Sequence, residues 1–286
     1  MKRTRTLLDD LTNPGAIRME LQPIVDLSDG GPRLYMLEAL ARGPRGTTME
    51  RPDVLFEYAR RKGVEAQIDM ICIAEALASF ASLPGRSRLS VNVHSSTLAS
   101  VEGFTRKVVD CATAYDVDPH RVMLEIVEHH NRWSAATFQH ALAEIREAGM
   151  RIALDDLGMG ASNYHLFVDC RPDHIKIDRS IVAGCSADPW RRAVLASVAG
   201  LATAVGSTAI AEGLETFADL KTLQDLGIDK VQGWLFARAM PASELAQSPF
   251  FRTPSSPDIA PGIEGERSGN AVNQHGRPVR SQEKTH

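Results

Sequence analysis

Cysteine is scarce and scattered in this 286-residue chain: Cys72, Cys111, Cys170 and Cys185 are the four, and no two form a C-x-x-C pair. Zinc ribbons and dense disulfide frameworks need closely paired thiols, so both are excluded. Long runs of Lys or Arg are missing and the formal net charge is −4, which removes the electrostatic footprint of a protein that binds DNA or RNA polymers. A G-x-S-x-G elbow, a P-loop and a dinucleotide fingerprint are also absent. Gly158-Met159-Gly160 is too short for the last and follows aspartates that would repel a pyrophosphate. The basic start, Met1-Lys2-Arg3-Thr4-Arg5, runs into Leu7-Leu8-Asp9-Asp10 without an apolar h-region, so a cytoplasmic location is expected. Residues 193–211 carry no charge and approach the length of a bilayer span. Ala, Gly, Ser and Thr dominate them and Gly206-Ser207-Thr208 interrupts them, which predicts a buried helix followed by a buried strand, not a membrane span.

What is present is enough apolar material for a full core, 43% of residues. Apolar runs at 19–25 and 34–40 flank Ser28-Asp29-Gly30-Gly31, the signature of an antiparallel hairpin. Helical patterns follow at 52–62 and 67–82, and then short strands at 89–93, 122–126, 151–155, 174–177, 208–211 and 230–232 alternate with helix-sized segments. Asp188-Pro189 supplies N-cap and first turn for a helix to about residue 205, with Gly206 past its end; Thr216 with Asp219 resembles a capping box, and Gly149 and Gly227 sit where C-caps belong. Eight strands of this kind predict an α/β fold of the (β/α)8 TIM-barrel type, made irregular because one strand of the opening hairpin must run against the others. The expected divisions are a short arm over 1–18, the barrel over 19–250, and a Pro- and Gly-rich disordered tail over 251–286.

Chemistry centres on 152–163, where a short apolar strand runs into Asp155-Asp156-Leu157-Gly158. Adjacent carboxylates at a strand end are electrostatically crowded, and a divalent cation relieves the crowding. In a (β/α)8 barrel, functional groups gather at the C-terminal ends of the strands. Asn92, Glu125, the Asp155-Asp156 pair, Lys176, Glu212 and Gln232 fall at six consecutive strand ends, and Glu38 lies within the second hairpin strand. Taken singly, each has an ordinary explanation, such as a polar turn or a surface pair of Lys176 with Asp178. Taken together they favour a shared site. Glu38, Asn92, Glu125, Asp155, Asp156 and Glu212 offer only oxygen ligands, which suits Mg2+ or Mn2+ better than zinc. Adjacent aspartates also fit two ions roughly 3.5 to 4 Å apart. His129-His130 lacks partners at ligand spacing, and His120, His140, His165 and His275 receive no role.

The ordered set Gln22-Pro23-Ile24, Glu38-Ala39-Leu40 with Arg42, Asn92, Glu125-Ile126-Val127-Glu128, Asp155-Asp156-Leu157-Gly158, Lys176-Ile177-Asp178, Glu212-Gly213-Leu214-Glu215 and Gln232-Gly233 resembles the EAL-domain family of cyclic di-GMP phosphodiesterases, in order from about residue 19 to 246. The resemblance implies a barrel with an antiparallel first strand, hydrolysis of cyclic di-GMP to linear pGpG, and two divalent cations, Mg2+ or Mn2+. One ion would be held by Glu38, Asn92, Glu125 and Asp155, the other by Asp155, Asp156 and Glu212. Lys176 would contact the attacking water and act as a catalytic residue beside Glu38 and Glu212. Gln22, Leu40, Arg42, Asp178, Gln232 and Pro241 would contact substrate, with Arg42 near a phosphate. Glu128, Gly158, Gly160, Ser162 and Glu215 would position the loop after the aspartates, which in the family takes part in dimer contacts, so a homodimer is expected. The chain departs from the family pattern at Leu157, Ala161, Val127 and Gly43, where Phe, Tyr, Thr and Trp are usual or frequent. That departure keeps open an alternative, a weakly active domain serving as a cyclic di-GMP receptor or protein-interaction module.

Overall fold

The structure is a computed structural model that describes residues 11–13, 15–127, 135–155 and 163–252. Eight strands close into one barrel in sequence order: β1 (Arg18–Asp26), β2 (Arg33–Arg42), β3 (Leu89–His94), β4 (Val122–Val127), β5 (Arg151–Leu154), β6 (His174–Ile177), β7 (Thr208–Ala211) and β8 (Lys230–Gln232). β1 is antiparallel to both neighbours, β2 and β8, and every other pairing is parallel. The irregularity expected from the hairpin is therefore carried by β1. β2 pairs with it over the tight turn and is still parallel to β3, so Glu38 enters the barrel from the second strand in the same sense as the groups that follow it.

The strands β3 to β8 are short, three to six residues, and mostly buried, as expected where helices cover a parallel sheet. The helix Pro189–Val205 begins at Asp188, whose carboxylate accepts from Trp190 N and Arg191 N, and ends at Gly206 in the left-handed region, φ 74°. This matches its sequence signals, but the helix is not buried all round. Only Leu195, Val198 and Ala202 are buried in it, because one apolar stripe suffices to dock on the barrel, and Trp190, Val194 and Val205 stay exposed. No described helix is long and apolar enough to cross a membrane. β5 ends at Leu154, one residue short of the expected span, although the Asp155 amide still reaches Ile126 O at 3.3 Å. Leu11 and Ile17, ahead of β1, are buried in the same core as the strands. Thr216 caps the helix Phe217–Asp225 by accepting from Asp219 N, but the Asp219 carboxylate turns outward to Gly184 N, Ser186 N and the Thr216 hydroxyl. The box is therefore half of the expected motif, with its acid tying this helix to the loop before the helix Pro189–Val205.

Candidate active site

At the C-terminal mouth of the barrel, successive strands deliver acids to one point because residues two apart on a strand share a face. Lys176, from the third position of β6, is 1% exposed and takes the centre. Its Nζ pairs with Glu125 and Glu212, lies 3.2 Å from Glu38 Oε1 and 3.8 Å from Asp155 Oδ1. Lys176 is thus an interior cation and does not pair with Asp178. Asp178 instead caps the turn Arg179–Val182 by accepting from Ser180 N at 2.8 Å.

Neutral side chains hold the acids in register. Asn92 donates to Glu38 Oε1 at 3.0 Å, and Gln232 donates to Glu38 Oε2 at 2.7 Å and to Gln22 Oε1 at 3.0 Å. Gln22 passes the connection on by donating to Ala237 O at 3.0 Å. Ser90 donates to Glu125 Oε2 at 2.9 Å. Ser90 escapes the sequence reading, although its signal was available: it stands two residues before Asn92 on β3 and therefore shares its face.

Burial would raise the Glu38 carboxyl, yet the charge of Lys176 and the hydrogen bonds from Gln232 and Asn92 outweigh it and hold the group below its ordinary value. Burial pushes Glu125 well above the carboxylate range; Lys176 opposes this, and Glu38, Asp155 and Glu212 add to it. Glu212 rises to about 8 for the same reasons, burial first. Burial works against the Lys176 cation, but Glu125, Glu212, Glu38 and Asp155 hold its pKa well above the ordinary value. One ammonium facing four carboxyls leaves the cluster short of positive charge, and two of its acids respond by favouring the protonated form.

That shortage is the test of whether the residues fit divalent cations, and they do. Oxygen donors of Glu125, Asp155 and Glu212 all lie within 4.8 Å of one another, a compact set of hard ligands of the kind Mg2+ and Mn2+ prefer. Glu38 and Asn92 adjoin it through Lys176 and the Glu38 hydrogen bond. Asp156, Glu128, Gly158, Gly160 and Ser162 lie outside the described residues, as do Leu157, Ala161 and the His129-His130 pair.

A cavity of about 570 Å3 opens beside this cluster, lined by Leu40, Arg42, Asn92, His94 and Asp155 from the strands and their ends and by Phe56 and Asp69 from the helices Pro52–Lys62 and Glu65–Ala81. Arg42 is held there by Glu20 at 2.9 Å. Gln22 and Pro241 do not line it: Gln22 is buried in the Gln232 network, and Pro241 opens the short helix Ala242–Leu245. Glu215 pairs with Arg179 at 2.8 Å. The cavity wall includes a second network that the sequence reading lacks, in which Asp69 accepts from His94 N at 2.9 Å and from Thr97 Oγ1 at 2.5 Å, with His94 Nδ1 at 2.9 Å. Burial would lower His94, but the Asp69 hydrogen bond and charge raise it above its ordinary value.

Gly43, the position after Arg42, accounts for one departure from the family pattern. A Cβ there would lie 2.1 Å from Met49 O. The backbone of the turn Thr48–Glu50 occupies the space a larger side chain would need.

Comparison with known proteins agrees with this geometry. The family model described as EAL domain matches residues 4–239. The cyclic di-GMP phosphodiesterase PA2567 of Pseudomonas aeruginosa is 30% identical over 252 residues, covering 85% of this chain and 42% of that protein. The cyclic di-GMP phosphodiesterase RocR of the same organism is 31% identical over 231 residues, covering 79% of this chain and 58% of that protein. The chain thus spans about half the length of these curated relatives. Among solved structures, a Klebsiella pneumoniae BlrP1 complex with manganese and cyclic di-GMP at pH 9.0 superposes with a TM-score of 0.72 at 30% identity, over 80% of this chain and 57% of that one. An EAL domain protein of Listeria monocytogenes EGD-e shares the fold at a TM-score of 0.73 and 23% identity, over 86% of this chain and 98% of that one.

Proposed function

The chain belongs to the EAL domain family, and from that premise we propose that it hydrolyses cyclic di-GMP to linear pGpG with two bound divalent cations, Mg2+ or Mn2+. The observation that carries this reading is the meeting of Glu38, Glu125, Asp155 and Glu212 around Lys176 at the barrel mouth. The names of the relatives and the metal and nucleotide in the BlrP1 complex support it.

Glu125, Asp155 and Glu212, with Glu38, Asn92 and Asp156, would hold the cations, which when bound supply positive charge to a phosphodiester and acidify a water. The chain's own contributions follow from the contacts above. Gln232, Asn92 and Ser90 fix the carboxylates before any ligand arrives, so little reorganisation remains at the moment of reaction. Lys176 keeps its proton and directs N–H donors at whatever oxygen enters the cluster, so it orients the attacking water and balances charge; it does not serve as the base. The deprotonated acids beside it are the groups able to take a proton from that water. Arg42, preset by Glu20, would turn its fork toward a phosphate, with Leu40 against the adjoining nucleoside.

The expected homodimer belongs to the same proposal. The helix Asn163–Cys170 exposes Tyr164 and Val168, one turn apart and each 65% exposed. Pairing over this apolar pair would remove it from water, which supports the homodimer reading.

Incubation with cyclic di-GMP and Mg2+ or Mn2+, followed by separation of the nucleotides, tests the reading. Linear pGpG is the expected product, and its absence throughout pH values from about 7 to 9, where a base of this kind operates, would overturn it.

A further inference from the structure

Three side chains from the loops after β6 and β8 form a stack on the barrel rim. The Arg238 guanidinium lies 3.8 Å from the Trp234 ring centroid, and that of Arg179 lies 5.5 Å from it. The indole is 48% exposed and comes two residues after Gln232, whose amide reaches Glu38. The stack therefore rises from the same end of the barrel as the acid cluster. The Arg42 cavity draws its strand residues from β1 to β4 and reaches Asp155 just past β5, whereas the stack rises from the loops after β6 and β8, on the other side of the mouth.

The platform is held in place before any ligand binds. Gly233 approaches Leu214 so closely that a Cβ would lie 2.0 Å from Leu214 O. The Leu214 amide donates to Gln232 O at 3.0 Å and the Leu235 amide to Leu214 O at 3.0 Å, which clamps the turn that carries Trp234. Arg179 is packed on Gly213, where a Cβ would fall 2.3 Å from its Cγ, and is neutralised by Glu215 at 2.8 Å. Arg238 differs, because among the described residues it has no carboxylate or carbonyl partner, only the ring. A guanidinium laid on an indole keeps its N–H edge in one plane and open to a ligand.

We propose that Arg238, held over the Trp234 ring, reads the O6/N7 edge of one guanine of the bound nucleotide and sets the preference for guanine over adenine. Guanine presents two acceptors on that edge, matched to a guanidinium fork, whereas adenine offers a donor in place of one of them. The cluster would then lie between two recognition elements, with one nucleoside in the Arg42 cavity and the other over Trp234 and Arg238. The inference rests on cyclic di-GMP being the substrate.

The test is steady-state kinetics of the wild type, Arg238→Ala, Arg238→Lys and Trp234→Ala on cyclic di-GMP and on cyclic GMP–AMP, with cyclic di-AMP as competing inhibitor. Both Arg238 variants should lose roughly tenfold or more of the guanine preference, since lysine keeps the charge without the fork. The loss should appear in KM with kcat little changed, and Trp234→Ala should move in the same direction by a smaller factor. An unchanged preference would overturn the inference while leaving the proposed hydrolysis standing. An equal loss for both nucleotides would assign the guanidinium to a phosphate and also overturn it. A wild type that hydrolyses no cyclic dinucleotide would overturn the proposed function and this inference with it.

Discussion

Gln232 donates through Nε2 to Glu38 Oε2 at 2.7 Å, joining the last strand of the barrel to the second across the antiparallel first. The two residues are 194 apart in sequence, so the rotamer of an acid in the Lys176 cluster depends on closure of the whole barrel. The same amide also serves Gln22, and through it Ala237.

Replacing Gln232 with Ala removes this brace without touching a cation ligand. Partners of this kind typically matter by about 10- to 100-fold in metal affinity or activity. Titration of activity with Mn2+ should show a rise of that order in the half-saturating concentration, with activity partly restored at high Mn2+. Unaltered metal dependence would show that Asn92 and Lys176 hold Glu38 unaided.

Lys176→Ala leaves four acids facing one another with no internal cation. Removing one partner from a buried ionic group costs about 3–5 kcal/mol, so the metal-free variant should melt well below the wild type. Mn2+ should narrow the gap, because added positive charge replaces the ammonium, but most turnover should stay lost. Thermal melts with chelator and with Mn2+ check both parts.

The acid cluster also fixes a pH dependence. Glu212 titrates near 8 in the folded protein against 4.5 as its ordinary value. An acid with a raised folded pKa keeps its proton longer in the folded state, so its contribution to stability falls as pH rises through that window. Glu125 shifts in the same direction, and His94, raised above 6.5, adds to the decline. His174 opposes it only between about 4 and 6.5, where burial keeps the folded imidazole neutral. Lys176 stays charged throughout. Stability of the chelated protein should therefore fall from about pH 6.5 to 8, and the affinity for divalent cations should rise over the same interval as protons leave the ligands. Urea titrations at several pH values, with and without Mn2+, read both slopes.

Gly43→Ala should destabilise the protein by about 1–3 kcal/mol, the usual cost of forcing atoms into a packed site, because its Cβ would strike Met49 O. Restoring the Trp found at this position in the family should be worse, not better. Equilibrium unfolding of the two variants decides this, and an undiminished midpoint would show that the turn Thr48–Glu50 yields freely.

Much of this protein was legible in its sequence, and for local reasons. Hairpin residues Ser28-Asp29-Gly30-Gly31 and the caps Asp188 and Gly206 act within a few residues of themselves, so the spans of β6, β7, β8 and the helix Pro189–Val205 could be read directly. The rule that functional groups sit at C-terminal strand ends was enough to gather Asn92, Glu125, Asp155, Lys176, Glu212 and Gln232, and Glu38, within the second hairpin strand, joined them as a further oxygen ligand. Contacts between distant segments were not legible. Only the closed barrel made Lys176 an interior cation shared by four acids, tied Gln22 into a buried amide relay, and set Asp69 against His94 in the cavity wall. It likewise placed Arg238 over the Trp234 ring with no acid to neutralise it among the described residues. Those outcomes depend on which side chains meet across the barrel and on how far water is excluded between them, quantities that no residue carries alone.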